Sequence, residues 1–202
     1  LEEFPPRAMT GYKNYFEGHG EFCASASSEY NAPRAYQAFD YKYTTWQEYI
    51  FTNNPYGTTT SPATYIGSES TAGYGGEWLE LKLPYKIKLN KFDLSHRPIF
   101  GERMPQKGVI LGRNDDNSEW SLVYTHDDTG GVYNNSRDNT GPGGTETRTF
   151  VVNDSSEYNT FRFVITKIFE AGTSDTPNIS RWHLFGTREQ GQSVLHDGQL
   201  TL

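Results

Sequence analysis

The chain has 202 residues, with 18 lysines and arginines against 25 acidic residues, a formal net charge of -7 and 15% aromatic residues. That acidic balance excludes nucleic acid as the main partner, because phosphate contacts need a concentrated basic face, and it disfavours docking onto anionic bilayers. No run approaches the roughly eighteen consecutive apolar residues that cross a membrane, and with Cys23 as the single cysteine no intrachain disulfide can form.

In chain order, residues 1–19 read as an N-terminal arm. They are punctuated by Pro and Gly, carry Phe4, Tyr12, Tyr15 and Phe16, and lack the basic-then-apolar pattern of a secretion signal. The alternating run EFCASAS follows, in which Cys23 reads as a small buried hydrophobe. Residues 27–46 form a polar approach to a buried turn, with room for a turn or two of helix at residues 36–40 and again at 45–51. Residues 47–76 hold Tyr49, Phe51, Tyr56, Tyr65 and Tyr74 among Asn, Gly, Thr and Ser. This is the composition of a long loop, and long ordered loops in compact domains tend to be functional.

Residues 77–83 (EWLELKL) alternate as a strand entered by Trp78. The alternation passes Pro84 and Tyr85 and resumes at Ile87, Leu89, Phe92 and Leu94, which places His96 and Arg97 directly after a strand. Residues 109–124 read strand, Asn/Asp-rich turn, Trp120, strand; the cluster at 114–119 is a hairpin turn lacking the spacing of a calcium loop. Residues 137–148 read as a Gly-rich hairpin tip. In residues 160–166 (TFRFVIT), Phe161, Phe163 and Ile165 share one buried face and Arg162 and Thr166 the other. Trp78, Trp120 and Trp182 read as seals for the ends of the core. Residues 188–202 read as a C-terminal linker or extension.

This succession resembles the discoidin, or coagulation-factor C-type, domain, a galactose-binding-like fold, over residues 20–187. The resemblance rests on the Ala38-Phe39-Asp40 turn, Trp78 before its leucine strand, the Asn-Asp turn with Trp120, and the closing TFRFVIT and WHLFG strands. It implies an all-β jelly-roll β-sandwich of about eight strands with a long loop insertion. The tail and the Phe-Pro-Pro opening are also similar to structural proteins of large algal viruses.

The resemblance further implies a sugar site after the second alternating run. His96 and Arg97 would donate hydrogen bonds to ring hydroxyls and Phe100, Tyr56 or Tyr65 would stack on the sugar, with Arg103 in the neighbourhood where the family carries an asparagine. Relatives also hold calcium at a position matched here by Asp40, Thr44 and Thr45. The late acidic ligand is replaced by Arg181, so an Asp40–Arg181 ion pair is expected in place of a metal, and no cofactor is expected. No nucleophile elbow, zinc motif or phosphate loop is present, so no enzymatic activity is expected. The expected function is non-catalytic, lectin-like carbohydrate binding, with a glycan or glycoprotein surface as partner. The alternative is a structural component of a virion contacting neighbouring subunits. Either places the chain on a virion or at the cell surface or outside it.

Overall fold

A computed structural model describes residues 1–29, 34–42, 46–47, 56, 63–96, 101–130, 147–169 and 176–188. In order, the strands are β1 (Glu2–Phe4), β2 (Lys13–Phe16), β3 (Gly20–Ala26), β4 (Trp46–Gln47), β5 (Ala63–Thr64), β6 (Ser70–Thr71), β7 (Tyr74–Gly75), β8 (Glu77–Ser95), β9 (Pro105–Arg113), β10 (Ser121–Asp127), β11 (Thr147–Val151), β12 (Glu157–Ile168), β13 (Asn178–Ile179) and β14 (Arg181–Arg188). Short 3-10 turns occupy Ala35–Phe39 and Gly101–Arg103. The first is the helical turn expected near residue 36; of the other, expected at residues 45–51, the described pair Trp46–Gln47 is strand and the remainder lies outside the described residues.

The 19-residue β8 organises both layers. Its first half runs between β3 and β12, with Leu81 facing Ala24 on one side and Phe161 on the other, and β9 and β10 extend that layer. Its second half runs between β14 and β11, with Leu94 facing Trp182 and Arg148, and β1 adds the outer edge to β14. Residues 1–19, expected as an arm, thus supply β1 and β2, and β2 pairs with β3.

Period-two alternation decides which side chains meet between the layers. Leu79, Leu81, Ile110, Phe161, Phe163 and Ile165 from one layer and Phe92, Leu94, Trp182 and Leu184 from the other are all 0% exposed. Phe163 joins them, with its ring centroid 6.3 Å from that of Phe92 and 5.8 Å from that of Trp182. Each such large side chain contributes about 1.5–3 kcal/mol by leaving water. The turn at Ala35–Phe39 plugs one end, with Phe39 buried against Trp182 at 5.9 Å.

Two expectations change. Trp182 lies in the core, but Trp78 and Trp120 lie on the outer face of the β12 layer, where they and Tyr74 cover Val109, Leu111 and Val164 in a second small cluster. Val164 and Arg162 share that outer face, so β12 is buried on both sides and not on one. Cys23 is only partly buried; Phe22 and Ala24 take the inward positions of β3 while Cys23 lies outward, its thiol against Glu21.

Candidate functional site

Antiparallel pairing brings many strand ends to one end of the sandwich. β9 starts where β10 and β12 finish, through Lys107 facing Asp127 and Pro105 facing Ile168. β8 finishes where β11 and β14 start, through Ser95 facing both Thr147 and Arg181. An Arg148–Asp128 ion pair ties these two groups of ends across the layers. Because β8 turns over at its middle, its first residue, Glu77, also returns to this end, opposite Ile165.

This end is where the buried polar side chains concentrate. Ser95, His96, Arg103, Gln106, His126, Thr176, Asn178 and Ser180 are all buried there. Ser95 and Thr147 share a hydroxyl hydrogen bond of 2.7 Å, and the Ser180 N–H donates to the Ser95 carbonyl at 2.9 Å. His126 donates from Nε2 to the Pro105 carbonyl at 3.1 Å, its ring enclosed by Phe150 at 4.7 Å and Phe163 at 5.4 Å. Burial holds its pKa below the ordinary imidazole value, against the opposing pull of the Pro105 carbonyl and Asp128. His126 Nδ1, Gln106 Oε1 and both amide atoms of Asn178 are buried without a hydrogen-bond partner. Interior polar atoms are normally satisfied, so four such atoms at one end mark a place built for polar contacts. Beside them Asp127 closes β10 at the surface, its pKa lowered to about 2 by the Thr129 hydroxyl and by Lys107.

The residues singled out from sequence fall into three groups. Arg97 and Phe100, and of the calcium set Thr44 and Thr45, lie outside the described residues. Arg103 is at this end, 7% exposed, in the turn whose Met104 N–H donates to the Gly101 carbonyl at 3.1 Å. His96 and Tyr56 require correction: both are 0% exposed, so neither presents a face to a ligand. His96 is buried because β8 carries its alternation inward to its last residues. Tyr56 is buried because its hydroxyl donates to the Ile165 carbonyl at 2.8 Å and accepts from the Glu77 N–H at 3.1 Å. Tyr65 packs edge-on against Tyr56 at 5.1 Å; its hydroxyl donates to Glu77 Oε1 at 3.1 Å and accepts from the Glu69 N–H at 2.8 Å. The same Glu77 carboxylate accepts from Ser27 Oγ at 2.5 Å and Ser28 Oγ at 3.2 Å. Tyr56 thus serves the framework, and Tyr65 braces it while staying partly exposed.

Of the calcium set, Asp40 is the member that lies within the described residues. Asp40 Oδ1 accepts from the Lys42 N–H at 2.8 Å, and no cluster of three potential metal-ligating side chains exists among the described residues. Arg181 donates to Glu3 Oε1 at 3.1 Å, from β1. The cation still stands in the neighbourhood, 5.9 Å above the ring of Tyr41, and repels a divalent ion there.

Sequence reasoning passed over His126, Gln106 and Asn178. Each sits in an apolar alternation at a strand end, and only the pairing of strands shows that those ends converge. It also missed the outer-face stack, in which the Arg162 guanidinium lies 3.5 Å from Trp78 and 4.6 Å from Trp120, with Arg113 at 4.3 Å from Trp120.

Comparison with known proteins places the fold. No protein-family model matches the chain and no curated protein matches its sequence. Among solved structures, the family 32 carbohydrate-binding module of NanJ from C. perfringens, in complex with galactose, matches with a TM-score of 0.51 at 16% identity, covering 81% of this chain and 92% of that one. A family 32 module of a Clostridium perfringens family 89 glycoside hydrolase, in complex with GalNAc-β-1,3-galactose, matches with a TM-score of 0.53 at 16% identity, covering 82% and 95%. A third such module, from a family 31 glycoside hydrolase of the same organism, matches with a TM-score of 0.53 at 16% identity, covering 87% and 96%. The chain has the discoidin, galactose-binding-like jelly-roll fold.

Proposed function

We propose that this domain is a non-catalytic carbohydrate-recognition module whose ligand is held at the end where β8, β9, β10, β11, β12 and β14 converge. The observation that carries this reading is the set of buried polar side chains at that end, Arg103 among them, with unpaired atoms on His126, Gln106 and Asn178 as a polar floor under the ligand. Sugars are neutral and rich in hydroxyls, so a site for them needs several fixed donors and acceptors in partly dry surroundings, without a strong net field. The fold supports the reading: similar domains at TM-scores above 0.5 are carbohydrate-binding modules solved with galactose or GalNAc-β-1,3-galactose.

Arg97, Phe100 and Arg103 are the proposed ligand residues, Arg97 and Arg103 as forked donors to adjacent hydroxyls and Phe100 as a stacking face. His96 acts from within, as support to the chain that bears Arg97. The partner is a glycan or glycoprotein surface, and the place of action is the cell surface or beyond it. A single site of this kind binds weakly, and display in several copies strengthens it. A virion-assembly role gains no support from the structures matched.

The test is a glycan array probed with the domain displayed multivalently, alongside Arg97→Ala and Arg103→Ala. Selective binding lost in both variants, with unchanged thermal unfolding, is the expected outcome. Silence from a folded wild-type domain across neutral, acidic and amino-sugar glycans overturns the reading.

A further inference from the structure

At the edge of the β14 layer the three-residue strand β1 is held by side chains more than by its length. Glu2 pairs with Arg188 at 2.8 Å, and Glu3 receives both Arg181, at 3.1 Å, and Nδ1 of His183. Behind them Phe4 is 0% exposed, and the Tyr41 hydroxyl donates to the Pro5 carbonyl at 2.5 Å. Three residues cannot hold an edge strand by ladder bonds alone, since each contributes about 0.5–1.5 kcal/mol net. The two carboxylates and the buried phenyl ring must supply the rest.

The Glu3 contact is poised on one histidine. His183 is 0% exposed and roofed by Tyr41, with ring centroids 4.2 Å apart. Its Nδ1–H points to Glu3, and its Nε2 is buried with no hydrogen-bond partner. The neutral ring is the lesser cost at this site, since it leaves only the Nε2 lone pair unpaired. A second proton would sit on Nε2 as a buried cationic N–H with no acceptor, beside the Arg181 guanidinium. The groups facing the ring are Glu3 from β1, Arg181 from its own strand, Asp93 from β8, which faces it in register, and Tyr41 from the segment after the 3-10 turn.

We propose that β1 is an acid-released latch, in which protonation of the Glu3–His183 contact frees residues 2–4 from β14 and exposes that sheet edge while the sandwich stays folded. Burial, with Arg181, holds the His183 pKa below its ordinary value against the opposing pull of Glu3, and the His183 contact and Arg181 hold that of Glu3 below the ordinary carboxylate value. For a histidine lowered in the closed state, the closed form binds fewer protons. The latch is therefore fully favoured above about pH 6.5 and loses ground as pH falls below it. Glu3 adds in the same direction at lower pH, since a lowered carboxylate stabilises above its unfolded value and ceases to do so on protonation. The second clasp leans the same way: Arg188 and the Tyr85 hydroxyl both donate to Nδ1 of His19, which requires that ring to stay neutral.

The test is amide hydrogen exchange on the whole chain at pH 7.5 and 5.0, corrected for intrinsic rates, with the imidazole of His183 titrated by NMR in parallel. Amides of residues 2–4 and 184–186 are expected to lose at least tenfold protection at pH 5.0, following the His183 titration, while residues 161–165 of β12 keep theirs. Glu3→Gln is expected to show the open pattern already at pH 7.5, and His183→Gln, which can still donate to Glu3, to stay closed at pH 5.0. Equal protection at both pH values, or protection lost together with β12, overturns the latch. So does release in wild type that does not track the His183 titration, a readout that stands even where His183→Gln does not fold.

Discussion

The hydroxyl of Tyr56 occupies the last rung between Glu77 and Ile165, donating to the carbonyl of one strand and accepting from the N–H of the other. Those residues are register partners in the β8–β12 ladder. A residue 21 positions before Glu77 therefore completes the backbone hydrogen bonding at the end of the sandwich where the buried polar side chains gather. The neighbouring Gly76 leaves the room: a Cβ there would meet the Ile165 carbonyl oxygen at 2.1 Å.

Tyr56→Phe keeps the ring and removes the bridge, leaving a buried N–H and carbonyl to find each other or go unpaired. A loss of about 1–3 kcal/mol in denaturant unfolding is expected. Gly76→Ala should cost more, because the atom it meets is backbone and cannot swing aside. A Tyr56→Phe domain as stable as wild type would show that the rung closes without the hydroxyl.

Arg162 and Glu80 form a nearly dry ion pair on the outer face, at 2.7 Å with side-chain exposures of 15% and 11%. Arg162→Met leaves the Glu80 carboxylate uncompensated and removes the filling between Trp78 and Trp120. A destabilisation of about 3 kcal/mol follows, and adding Glu80→Gln should recover part of it. Strict additivity in the double-mutant cycle would contradict a coupled pair.

His126 makes the whole domain acid-sensitive, apart from any local opening at β1. Its pKa is lowered in the folded state, so the folded protein resists a proton that the unfolded chain accepts. Stability from this group is complete above about pH 6.5 and declines as pH falls through that region. Urea midpoints at pH 7.5, 6.0 and 5.0 should fall in wild type. They should fall less steeply in His126→Phe, even though that variant starts lower for want of the Pro105 hydrogen bond.

Calcium should leave the melting temperature unchanged. A ligand bound to the native state raises stability with its concentration, whereas the Asp40 region offers a carboxylate oxygen already taken by Lys42 and a guanidinium nearby. Scans in millimolar calcium chloride and in EDTA are expected to agree within about 1 °C, and a rise with calcium would restore the metal reading.

Alternation made the fold legible in the sequence. Leu79 and Leu81, Phe92 and Leu94, Phe161 and Phe163 all face inward as their spacing requires, and the turn at Ala38-Phe39-Asp40 is a turn. The site was less legible, for a physical reason. Alternation separates two faces of a strand but does not say where a buried face stops, so His96 read as a ligand donor just past the strand when it still belongs to the interior. Trp78 read as a core seal because large aromatic rings usually are, yet it stands on the opposite face from Leu79 and packs against Val164 and Arg162. The role of Tyr56 depends on two strands far away in sequence, and no local pattern carries that.

The course of β8 through both layers also has a mechanical meaning. Layers built from separate strands can slide or part at the cost of side-chain contacts alone. Here one unbroken covalent strand is hydrogen-bonded into each layer, and both of its ends reach the end proposed for binding. A load applied there, as when a tethered domain grips a surface under flow, is taken up along the backbone and shared between the sheets, so that neither can shear away until the ladders flanking this strand are torn.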